Sequence, residues 1–323
     1  MSIPLNEKKR SEAPLIAFTL CTPAAVGIAV LACALGFWSP DGTALLMSAA
    51  SLSLATVGML AAVFHLAKPL RAPFSLRHLS SSWLSREIVA VAVFWAFSTA
   101  WLLGCMFANA AVFIAGELLA AVSGVVLLFV ITRAYKVSTR PAWMGTEGLM
   151  ELVAAACGAG SATALCCIFC AFAFGGEGDV PAVVLAARLA ALCVAQAAAF
   201  ALDVASHRRR RLRLLAASQE SDERIPLTLA NYGRLLPVLH RAWTVEGVAV
   251  AATCIFCAVA AIHLLALPEG AAASDAFAPG WAPMAAVATC LVLAVLQFVA
   301  HGMQRWLFYE VPVPVRYVAR LRK

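Results

Sequence analysis

His65 ends one long apolar run of this chain and Glu87 begins the next, with Lys68, Arg71, Arg77 and Arg86 in the polar stretch between them. An imidazole titrates near neutral pH, and a carboxylate does so once partial burial raises its pKa, so each can take up a proton and release it. Two such acceptors at a membrane edge suit the removal of two protons from the hydroxyls of a quinol, a lipid-soluble two-electron carrier. Neutral His65 would meet one hydroxyl and ionised Glu87 the other. Arg71 or Arg86 would hold Glu87 ionised and balance negative charge as it develops. Pro69 and Pro73 stiffen the connection enough to shape a pocket. The same residues also suit a plainer task, capping two helices, with Ser82 or Ser85 as the N-cap of the second. Spacing alone leaves both open.

The elements that must hold these groups are set by composition. Hydrophobic residues make up 63% of the 323 and charged residues only 13%, about half the charged share of a soluble domain, and the mean hydropathy is +0.88. Crossing the hydrocarbon takes about 20 apolar helical residues. Eight stretches reach that length: about 14 to 38, 43 to 65, 87 to 107, 111 to 133, 149 to 174, 180 to 205, 243 to 267 and 281 to 304. Continuous apolar runs of this kind exclude a β-barrel, whose strands alternate over about ten residues. The expected fold is all-α, a polytopic integral membrane protein with eight transmembrane helices and a single membrane-anchor domain over residues 1–323. The first run is too long for a signal-peptide core and reads as a retained helix.

Charge divides the connections cleanly. Of 24 Lys and Arg, 23 lie in the two tails or near the connections after the second, fourth and sixth spans; Arg188 is the exception. The other connections carry Asp41, Glu177, Asp179, Glu269 and Asp275 instead. By the positive-inside rule both termini face the cytoplasm, and so does the His65 to Glu87 connection. The net charge of +7 thus marks one membrane face, where Arg208 to Arg211 and Arg213 attract anionic head groups, and is no sign of nucleic-acid binding.

The remaining polar residues divide by position. All 11 cysteines fall in apolar runs without iron-sulfur spacing, so they read as small packing residues and no metal site is expected. His65, His240 and His301 map to one membrane side and His263 stands alone toward the other, which argues against a pair of haems. Glu117 and Arg188 fall at matching depth, and an ion pair between them is expected from the cost of an unpaired charge in lipid. Glu151, Asp203 and Glu246 fall near helix ends, where water and head groups reduce that cost.

One string is more specific. His65, Leu66, Pro69, Arg71, Ala72, Ser75, Leu76 and then Ser82, Trp83, Leu84, Ser85, Arg86, Glu87 and Ile88 resemble the hallmark of the membrane anchor subunit of dimethyl-sulfoxide-reductase-type molybdoenzymes, departing at Ala67, where glycine is usual. Near the other end, Arg305 to Tyr309 (RWLFY) resembles the family's final motif, with Gln304 in place of a glycine. Length and helix count agree.

The resemblance implies a haem-free anchor in the inner (cytoplasmic) membrane that binds and oxidises menaquinol. Electrons would pass to an iron-sulfur electron-transfer subunit and on to a molybdopterin catalytic subunit, both cofactors residing in those partners. The chain would belong to a quinol-dependent oxidoreductase of anaerobic respiration without acting on the terminal acceptor itself. Carried over residue by residue, His65 and Glu87 are the quinol-site residues, with Arg71, Trp83, Ser85, Arg86, Arg305 and Tyr309 around them. Known members of the family hold this loop on the outer face, whereas the charges here set it inside, and the charges are followed. Two rivals stand beside this reading: a purely structural anchor that never touches quinone, and a secondary transporter. Pro23 interrupts the first span, but no matching break marks a second half, as a transporter of repeated architecture would show.

Overall fold

The computed structural model describes residues 12–65, 77–137, 140–174, 180–219, 222, 224–268, 271–276 and 281–312. Eight long helices are apolar enough to cross a membrane: α1 (Ala13–Ala34), α2 (Gly42–His65), α3 (Trp83–Met106), α4 (Ala110–Lys136), α5 (Glu147–Ala173), α6 (Ala182–Ala216), α7 (Arg224–Leu265) and α9 (Trp281–Glu310), with a single turn, α8 (Ala273–Ala276), before the last. Among the described residues the one extended pairing is the isolated bridge between Pro181 and Ala272. The chain is therefore the all-α polytopic membrane protein that its apolar runs imply.

The helices run up and down between two ends of opposite character. At the basic end the start of α1 meets the end of α9, where Thr19 Oγ1 lies 3.4 Å from Tyr309 Oη. Trp143 Nε1 there donates to Phe308 O at 2.9 Å, and Asn231 Nδ2 donates to Glu310 O at 2.6 Å. At the opposite end Arg188, early in α6, donates to the carbonyls of Leu35 and Gly36 just past α1. Charge segregation along the sequence is thus a real separation in space.

α5 is the axis of the bundle. In its most apolar window 83% of residues are buried inside the protein, against 28% in α2, and it packs on α1, α2, α4, α6 and α9. A helix buried on every side needs small residues, because lipid supplies no hydrophobic drive between helices and close van der Waals contact must do that work. At the α1–α5 crossing, Gly27 lies against the Ala156 carbonyl and Gly160 against the Gly27 backbone, so closely that a Cβ on either glycine would overlap main-chain atoms.

Several helix limits differ from those expected. α1 stops at Ala34 instead of about 38, because Gly36 takes up a left-handed φ of +72°, the usual glycine stop signal. Pro23 sits inside an unbroken α1. α3 begins at Trp83, with the Ser82 hydroxyl accepting from Ser85 N at 3.3 Å, so Glu87 lies just past the first turn and does not open the helix. α6 runs to Ala216 and α9 to Glu310, beyond the expected 205 and 304. The largest departure is α7, which starts at Arg224 rather than about 243. Its added turns are amphipathic: Tyr232 and Leu239 pack with Ala142, Leu307 and Val311 in a small core of their own. A hydropathy window sees only their mixed composition.

Candidate functional site

Glu87 is half-buried, and among the described residues it forms no ion pair. Arg86, expected as its counter-ion, turns away: its guanidinium donates to the carbonyls of Leu79 and Ser80, both at 2.8 Å, and stacks 4.4 Å from the Trp83 ring. Arg133 of α4 covers the same ring at 5.1 Å. Trp83 and Arg86 therefore build the rim of the α3 terminus, and Ser85, 2% exposed, is packed beneath it with its N–H held by the Ser82 cap. His65 is the last residue of α2; its side chain, and Arg71 altogether, lie outside the described residues.

Toward the bundle interior, Glu87 has Tyr135 and Tyr309 within electrostatic reach. The two phenols share a hydrogen bond of 2.6 Å, and Trp143 and Phe308 stack beside them with ring centroids 5.1 Å apart. Tyr135, Trp143, Leu152, Phe308 and Arg305 line a narrow cleft with room for little more than a water molecule. Arg305 and Tyr309 thus stand on the membrane side expected for them. Tyr309 faces the Glu87 side, whereas Arg305, 2% exposed, spends its guanidinium inward on Glu151.

That inward contact opens onto a buried ionic network. Glu151 of α5, 1% exposed, is held by Arg305 of α9 and by Arg210 of α6 at 2.6 Å, with His207 Nε2 at 3.8 Å. The other ring nitrogen of His207 lies 3.1 Å from Tyr232 Oη of α7. Farther along the bundle, His301 Nδ1 is 3.3 Å from Asp203 Oδ2 and 3.2 Å from Gln304 Oε1, while Gln304 Nε2 donates to Glu246 Oε2 at 2.7 Å. Gln297 and Gln196 pair at 3.1 Å. Asp203, Glu246 and His301 each offer an atom suited to ligation, all within 4.8 Å of one another.

Glu151, Asp203 and Glu246 are therefore not eased by head groups or bulk water, as their positions near helix ends implied; they are 0–1% exposed, and Glu151 is neutralised from within the bundle. α6 and α7 extend past the apolar spans expected from the sequence, which places Asp203 and Glu246 well inside their helices. The signal available in the sequence was spacing. Asp203, His207 and Arg210 fall on one face of α6, and Gln297, His301, Gln304 and Arg305 on one face of α9, as residues three and four apart do.

The expected Glu117–Arg188 pair does not form. Both Glu117 oxygens are without a hydrogen-bond partner, and Arg188 instead caps the end of α1 through Leu35 O and Gly36 O and covers the Phe37 ring at 3.9 Å. Matching depth placed the two at one level but not on facing sides. Beside Arg188, outside the spans, burial pushes the Asp41 carboxyl above its usual range; the Ala44 N–H and Arg188 pull against that rise.

Removing a partner from a buried ion pair leaves an uncompensated charge, at about 3–5 kcal/mol, whereas a half-exposed pair contributes about 0–1 kcal/mol. Glu151→Gln, which strips the shared carboxylate from buried Arg210 and Arg305, should therefore lower the thermal midpoint of the detergent-solubilised chain far more than Arg213→Met, which breaks the Arg213–Glu147 pair at the edge (3.2 Å, Arg213 32% exposed). A thiol-reactive dye reads this directly, since the cysteines are free and at least half-buried in the folded chain. Equal shifts would contradict the ranking.

No curated protein matches the sequence. The family described as DMSO reductase anchor subunit (DmsC) matches residues 7–311, nearly the whole chain and with it α1 to α9. The chain belongs to the DMSO reductase anchor subunit family.

Proposed function

We propose that this anchor subunit binds menaquinol at the basic end of the bundle, accepts its protons at His65 and Glu87, and hands its electrons to a docked iron-sulfur subunit. A molybdopterin subunit completes the complex. The observation that carries the reading is the setting of Glu87: a half-buried carboxyl with no ion pair among the described residues, at a membrane boundary, beside a hydrogen-bonded tyrosine pair and an aromatic cleft. A carboxyl left unpaired keeps its capacity to take a proton, which one locked to arginine, like Glu151, does not. The Tyr135, Trp143 and Phe308 rings form an aromatic wall on the inner side of the Glu87 region.

The chain's own residues then have distinct duties. His65 and Glu87 receive the two hydroxyl protons, Trp83 and Arg86 form the rim, and Tyr309 and Tyr135 set the inner wall. Arg71 completes the basic cap, and the Ser85 N–H, held by the Ser82 hydroxyl, fixes the first turn of α3 so that Glu87 keeps its direction. No haem is assigned to this chain. The complex lies in the inner membrane with both termini of the anchor cytoplasmic, following the charge division.

Glu87→Gln and His65→Gln should each lower quinol-driven reduction by the assembled complex by about 100-fold or more, the scale of a lost acid–base group. Reduction from an artificial donor that bypasses the membrane, and assembly itself, should persist. Unchanged quinol-driven rates in both variants would favour the purely structural anchor. A C-terminal reporter active on one membrane face should report the cytoplasm; an outward signal reverses the orientation.

A further inference from the structure

Asp203 and Glu246, opposed across α6 and α7, each carry a carboxyl oxygen that no donor meets among the described residues, Oδ1 of Asp203 and Oε1 of Glu246, while Asp203 Oδ2 has only His301 Nδ1 at 3.3 Å. Both residues are 0% exposed, out of reach of bulk solvent, and a buried polar atom without a partner is costly. From this geometry we infer that Asp203 and Glu246 form a proton-binding site, in which one hydrogen ion is shared between two carboxyl groups in the core of the membrane bundle.

Charge accounting supports the inference. The elements packed around the pair bring Glu151 from α5, Arg210 and His207 from α6, Tyr232 from α7, and His301 and Arg305 from α9. α1 contains no charged residue. With both histidines neutral, two guanidinium groups stand against three carboxyl groups, one short of balance. Two carboxylates this close in a low-dielectric interior cannot both stay ionised. One proton removes the deficit and also satisfies the orphaned oxygens, because a carboxylic O–H on one residue donates to the carboxylate of the other. A divalent ion would satisfy the oxygens but leave the cluster positive.

The neighbours fix the pair. Gln304 donates its amide N–H to Glu246, so its carbonyl faces His301 Nδ1 and accepts from it. That assigns the Nδ1–H tautomer to His301. Its Nε2 packs against Gly158, where a Cβ would collide with the ring, and no acceptor waits there for a second ring proton. The labile proton therefore belongs to the carboxyl pair. Along α5, Gly158 is seven residues from Glu151, about 10 Å deeper in the bundle at 1.5 Å per residue. The site is thus the deeper end of the same charge-balanced seam as Glu151, apart from the Glu87 region, and it stands whether or not quinol binds there.

Infrared difference spectra of the full-length chain in detergent, recorded in H2O and D2O near neutral pH, test this by the carboxylic C=O stretch. Asp203→Asn and Glu246→Gln should each remove the same single band, one carboxyl in intensity, and the double variant should remove no more than either. Glu246→Asp, which keeps the charge and moves the oxygen by one methylene, should shift that band without abolishing it, and serves if the neutral variants fail to fold. Separate bands lost one per variant, or no band lost and none shifted, would overturn the shared proton. So would one bound divalent metal per chain, measured by elemental analysis and displaced by either neutral variant.

Discussion

A carboxylate out of reach of water must be met by positive charge at contact distance, and Glu151, gripped by Arg210 and Arg305, is where this protein meets that requirement. The three residues come from α6, α5 and α9, so one compensated charge ties together the axial helix and two of the helices around it. Lipid gives no preference for one helix–helix contact over another through the hydrophobic effect. Register and facing must come from close packing at small residues and from polar contacts that tolerate only one partner, and this cluster is the strongest set of the second kind.

Other features of the basic end follow from that anchorage. With Arg305 drawn inward, the next turn of α9 carries Phe308 and Tyr309 toward α4 and the Pro141–Trp143 turn, where Tyr309 meets Tyr135 and Phe308 stacks on Trp143. The start of α3, capped by Ser82 and roofed by Trp83 between Arg86 and Arg133, then brings Glu87 to the side of that tyrosine pair. A compensated carboxylate in the interior and one without an ion pair at the end of the bundle have opposite chemical characters: the first is structural, and the second is the one on which the proposed quinol chemistry rests.

Hydropathy and charge in the sequence were enough for the helix count, the up-and-down order and the basic end, because membrane thickness and lipid charge impose one-dimensional rules. Limits were less legible where a helix leaves the lipid. The α7 extension from Arg224 is amphipathic, and only its packing against Leu307 and Val311 explains it. The Glu117–Arg188 expectation failed because depth is readable along a sequence while azimuth is not. Similarly, the partners of Glu151 lie on three helices far apart in the chain, and the same-face spacing of Asp203, His207 and Arg210 hints at a polar seam without saying what it meets. The hallmark string identified the family, whereas the relation of His65 and Arg71 to Glu87 depends on a connection outside the described residues.

The central proposal is that a quinol docks where α3 begins and α4, the Pro141–Trp143 turn and α9 present their aromatic residues. Photolabelling of membranes with an azido-menaquinone, followed by peptide mapping, tests that location most directly. The account predicts label on the segment from His65 to Glu87 and on the facing residues Tyr135 to Trp143, with competition by unlabelled menaquinone. Label confined to the opposite end of the bundle, around Leu35 to Asp41 or Pro181 to Arg188, would contradict it.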